Sequence, residues 1–158
     1  MLTARMFTAS FLVACLSAAN PAQGDTELRD RFIAAGQQMG EGMLKVMKGC
    51  APDIDTSEVD LEYTPRMTEA VSCVVDRHIE RFGRDETVVL VEQAEAMGER
   101  PFSSLQEMAT IQEDYPKLST PAMAEFNQAC GMVEASQDSS MARLMQENMA
   151  ELTACFAQ

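Results

Sequence analysis

From about position 26 onward, apolar residues recur at three- and four-residue intervals, the period of an amphipathic helix. No stretch sustains the alternation of a strand, and the β-branched run Val88-Val89-Leu90-Val91 sits inside a longer helical pattern. A first helix is predicted from about Thr26 to Lys48, capped by Asp25 or Thr26 and stopped by Gly49. Leu28, Phe32, Ala35, Met39, Met43, Val46 and Met47 form its apolar face. Gly36, Gly40 and Gly42 interrupt it, each weakening a helix by up to about 1 kcal/mol relative to alanine. They point to a close helix–helix approach or to a kink.

Residues 51–63 read as the one long loop. Thr64-Pro65 opens a second helix, with Met67, Val71, Val74, His78 and Phe82 on its buried face and Gly83 at its end. A third runs from about Asp85 to Gly98. Ser103-x-x-Gln106 and Ser104-x-x-Glu107 both fit a capping box for a fourth, which ends before Pro116. Thr120-Pro121 opens a fifth, running to about Val133. Ser136 or Asp138 caps a sixth, whose apolar stripe is Met141, Leu144, Met145, Met149, Leu152 and Phe156. Short connections between such helices predict an all-α compact bundle of about six helices arranged as helical hairpins, one domain over residues 25–158.

Residues 1–24 read as a secretory signal. Arg5 is their only charge, an apolar run extends from Met6 to Ala19, Asn20-Pro21 breaks it, and Ala22-Gln23-Gly24 supplies small residues at the cleavage positions. That run is too short to span a bilayer, and no second long apolar run follows, so no transmembrane helix is expected. The predicted location is periplasmic or secreted. A competing reading takes Leu12-Val13-Ala14-Cys15 as a lipobox, which anchors the protein by a lipid on Cys15.

Export changes the meaning of the cysteines. Cys50, Cys73, Cys130 and Cys155 remain after the signal, an even number that predicts two disulfides. They form no Cys-x-x-Cys pair and lack zinc-ribbon spacing. Three pairings are possible. A straight hairpin of the last two helices holds Cys130 and Cys155 apart and favours joining each to Cys50 or Cys73. A last helix that bends back restores Cys50 with Cys73 and Cys130 with Cys155.

The chain carries 12 basic and 25 acidic residues, a net charge of −13. That excess excludes nucleic acid as a partner, because phosphate binding needs basic patches. The acidic excess concentrates after residue 84, where 13 acidic residues face 3 basic ones.

Candidate chemistry is sparse. Met39, Met43 and Met47, and again Met141, Met145 and Met149, repeat every four residues, so each trio lines one helical stripe. Thioethers are soft ligands suited to Cu(I), and they also fill irregular cores. His78 lies on an apolar stripe with no nucleophile in sequence reach. Asp53-x-Asp55-x-Ser57 opens like a calcium loop but lacks Gly at the sixth and Glu at the twelfth position. Arg77, Arg81 and Arg84 recur at helical spacing and could dock an acidic partner. No catalytic motif is present, so no catalytic residue is assigned.

Phe82-x-x-x-Glu86-x-x-x-Leu90-Val91, followed by Gly98-Glu99-Arg100, resembles a pattern in a family of small exported bacterial helical proteins of unknown function. In that pattern a Phe opens a helix, a Glu sits in its first turn and a Gly-basic pair follows. The aromatic pair usual later in that helix is replaced here by residues near Gln93 and Ala94. The resemblance implies an exported helical domain and no site. The expected function is a non-catalytic binding or adaptor module for an envelope protein or a small hydrophobic ligand, with no cofactor. The alternatives are a Cu(I) carrier using the Met stripes, or an enzyme working through carboxylates such as Glu86, Glu92 or Glu95.

Overall fold

A computed structural model describes residues 21–156, all helix, turn or loop. Residues 1–20, with Cys15 and most of the expected signal segment, lie outside the described residues. Local chemistry sets most helix boundaries. Helix α1 (Pro21–Cys50) is longer than its sequence signals and starts at a proline. Helix α2 (Pro65–Phe82) opens where Thr64 accepts a hydrogen bond from the Met67 N–H, and α3 (Arg84–Glu99) follows after Gly83. Ser104 accepts from the Glu107 N–H to cap α4 (Leu105–Thr110), which tightens into a 3₁₀ turn over Ile111–Asp114. The Glu107 carboxylate reaches back to the N–H and hydroxyl of Ser103, a reciprocal cap displaced by one residue. Thr120 caps α5 (Pro121–Ala129) in the same way as Thr64 caps α2.

The last two expected helices are each divided. Gly131 has φ 69°, a left-handed conformation that side chains resist, so the fifth helix stops and α6 (Met132–Gln137) restarts in a new direction. Ser139, and neither Ser136 nor Asp138, caps α7 (Ser140–Glu147), and α8 (Met149–Phe156) follows after Asn148. These breaks bend the C-terminal stretch around the long helices.

Helices α2 and α3 form a hairpin, and α1 lies against both. Arg29 pairs with Asp76 of α2 at 2.7 Å. Arg31 grips Glu95 of α3 through two hydrogen bonds of 2.7 Å each. One α1 turn further on, α3 comes so close that a Cβ on Gly98 would sit 2.8 Å from the Ala35 carbonyl oxygen. Leu28, Val75 and Val91 fill the seam of the three helices. Val74, Leu90, Met123 and Phe126 bring α5 onto the hairpin. The Cys73–Cys130 disulfide locks that contact, with the two Cα atoms 5.8 Å apart. At the other end Leu144 and Leu152 meet Val46, Met47 and Ile54. No described helix is long and apolar enough to cross a membrane.

Candidate functional site

Three segments distant in sequence line a partly open cavity of about 220 Å³. Gly36, Met39, Gly40 and Met43 form one face of α1 at helical spacing. Residues 60–64 lie across that face, Met67 comes from the first turn of α2, and Ser136, Ser139 and Met141 close the far side. The glycines make room for the crossing segment. A Cβ on Gly36 would overlap the Tyr63 hydroxyl, and one on Gly40 would stand 3.1 Å from Leu61 Cδ2. The close approach that the α1 glycines allow is therefore to a loop at Gly36 and Gly40, and to Phe102 at Gly42.

The loop that supplies Tyr63 is held by local and distant hydrogen bonds. Asp55 Oδ1 accepts from the Ser57 N–H at 2.9 Å, and Asp60 Oδ1 from the Glu62 N–H at 2.8 Å. The first of these bonds, with Coulombic help from Lys48, holds the Asp55 carboxyl below its usual pKa. Ser140 ties the loop to the start of α7. Its hydroxyl accepts from the Asp60 N–H at 2.9 Å and donates to the Asp60 carbonyl at 2.7 Å. The acidic run is thus used for turns, and no cluster of three or more His, Cys, Asp or Glu forms among the described residues.

The methionines separate into three environments. Met39, Met43 and Met141 converge on the cavity, joined by Met67, which sequence reasoning placed only on a core stripe. Met47 is buried in the core and Met145 packs against it. Met149 is exposed. The cavity lining contains Asp60 and Glu62 but no Lys, Arg or His.

The other candidates lie elsewhere. His78 is buried, and its Nδ1 lies 2.8 Å from Thr87 Oγ1, while the Thr87 hydroxyl donates to the Gly83 carbonyl at 2.9 Å. A hydroxyl has one proton, so Thr87 accepts from His78 and the imidazole carries its proton on Nδ1. Burial, reinforced by Lys117 and opposed by Glu86, pushes the His78 pKa down. Arg81 pairs with Glu125 at 2.8 Å and lies over the rings of Phe82 and Phe126. Arg77 and Arg84 are exposed. Phe82 ends α2 instead of opening the next helix.

Of the carboxylates named for an enzyme, Glu92 and Glu95 line one open pocket with Arg31, and Glu86 lies apart from them. Glu86 hydrogen-bonds Lys117 and Glu95 hydrogen-bonds Arg31, which holds both carboxyls below their usual pKa. A general acid at neutral pH needs the opposite shift. Of the cysteines, Cys73 and Cys130 are joined, and the Cys155 side chain lies outside the described side chains. No protein-family model, curated protein or solved structure matches the chain.

Proposed function

We propose that this protein is an exported, non-catalytic binding module that holds a small hydrophobic molecule in the cavity between α1, residues 60–64 and the start of α7. One observation carries the reading: three remote segments line a partly open cavity of about 220 Å³ whose exposed wall is mostly apolar and holds four methionines. Concave, mostly apolar clefts with a few polar groups are where small ligands bind. Export is supported by the signal-like N-terminus and by the Cys73–Cys130 disulfide, a bond that persists in oxidising compartments. We pair the remaining cysteines as Cys50–Cys155. Cys50 is oxidised and packs on the cluster that contains Leu152, and Cys155 follows Leu152 by one turn of α8. Titration of the denatured, unreduced protein should find no free thiol among these four.

Indole is a suitable test ligand because the chain contains no Trp. Its emission should shift to the blue on binding. Gly40→Met, which puts a flexible chain into the cavity, should abolish the shift while the protein stays cooperatively folded. Absence of any shift with the native protein rejects the reading.

The convergence of Met39, Met43, Met67 and Met141 supports a second reading, a Cu(I) carrier. Cu(I) should then survive competition from a Cu(I) chelator and be lost when these four become Leu. Copper retained by that variant rejects it.

A further inference from the structure

We propose that the cavity selects a neutral aromatic molecule bearing one hydrogen-bond acceptor, which the Tyr63 hydroxyl receives. This rests on the small-molecule reading above and names its ligand class.

Four hydroxyls line the cavity; two already donate their protons, a third accepts from a backbone N–H, and the fourth, Tyr63, does neither. Thr64 Oγ1 accepts from the Met67 N–H, Ser139 donates to the Ser136 carbonyl and accepts from the Ala142 N–H, and Ser136 donates to the Val133 carbonyl. Tyr63 makes no hydrogen bond among the described residues. Its hydroxyl abuts α1 at Gly36, where the backbone groups are engaged in the helix. Desolvation alone pushes its pKa up, as expected of a phenol with no partner. No fully buried side-chain oxygen among the described residues lacks a partner, so this hydroxyl keeps contact with solvent, and a ligand acceptor would take the place of water there.

Charge and size narrow the class. Asp60 and Glu62 stand in the lining with no cation to offset them, so an anionic ligand is repelled. The volume of about 220 Å³ exceeds the roughly 150 Å³ of an apolar cavity that takes benzene. It falls short of the roughly 300 Å³ at which drug-sized sites begin. Thioether walls favour an aromatic body, because sulfur makes favourable contacts with ring edges.

Acetophenone and ethylbenzene share a shape and differ in the carbonyl acceptor, and benzoate adds a negative charge. Calorimetric titration of the full protein should give affinities in the order acetophenone, ethylbenzene, benzoate. Tyr63→Phe should weaken acetophenone about three- to tenfold and leave ethylbenzene unchanged. Because the lost hydroxyl has no protein partner, that variant should unfold at the native temperature. Gly40→Met should abolish acetophenone binding. If Tyr63→Phe affects both ligands alike, if acetophenone shows no margin, or if benzoate binds as well, the inference falls and the small-molecule reading stands. Undiminished binding of acetophenone to Gly40→Met moves its site elsewhere and overturns the inference. If neither neutral ligand binds the native protein, both fall.

Discussion

His78 and Tyr63 are both polar aromatic groups set among apolar neighbours, and the fold treats them in opposite ways. His78 sits where α2, α3 and α5 meet, with the Phe82 ring 4.8 Å and the Phe126 ring 6.4 Å away, and its proton is received by Thr87. Tyr63 lines a partly open cavity, and its hydroxyl, set against Gly36, makes no hydrogen bond among the described residues. A core built for stability fills its space and pairs its polar atoms together. The same residue types therefore sit in a filled core at His78 and beside a partly open cavity at Tyr63.

This contrast can be broken most forcefully at the disulfide. Changing Cys73 and Cys130 together to Ala frees a link across 57 residues, and the denatured chain's gain in entropy should cost about 4 kcal/mol. Urea unfolding measures it. Next comes the α1–α3 seam: Gly98→Ala should cost about 1–3 kcal/mol, because its Cβ meets backbone that cannot yield. A gain in stability, as helix propensity alone would give, shows that the seam is looser than described. A paired comparison follows. Thr87→Val strips His78 of its acceptor inside the core and should cost about 1–3 kcal/mol. Tyr63→Phe removes a hydroxyl that bonds nothing and should change stability by no more than about 0.5 kcal/mol. Equal costs erase the distinction between the two sites.

The smallest effect concerns pH. The folded state holds the His78 pKa below its ordinary 6.5, so the unfolded chain takes up the proton first. The stabilisation from neutral His78 is complete above that value and is lost as pH falls below it. Glu86, Glu95 and Glu107 are held below their ordinary 4.5, so their contribution fades only in more acidic solution. Melting temperatures between about pH 7 and 5.5 should therefore fall in the native protein and stay flatter in His78→Gln.

Much of the fold is legible in the sequence because its signals are local. Thr64-Pro65, Thr120-Pro121 and Ser104-x-x-Glu107 open helices through bonds within one turn, and that chemistry is written in adjacent residues. The burial of Leu28, Val71, Val74 and His78 follows from helical period in the same way. Gly131 carries no such signal. A glycine late in an apolar helix is compatible with continuation, and only its positive φ divides the helix. The site is less legible still. Met39, Met43 and Met141 stand out as repeats, but their convergence depends on how α7 docks. Met67 belongs to no repeat, and the partner of Gly36 is a loop tyrosine, where helical spacing points to another helix.

The pair of hydrogen bonds between Ser140 and Asp60 joins positions 80 apart in the chain. Until the C-terminal helices are in place, the cavity has only part of its wall. If the cavity holds the ligand proposed above, a chain still extended has no place for it, and loading waits until the last helices come to rest.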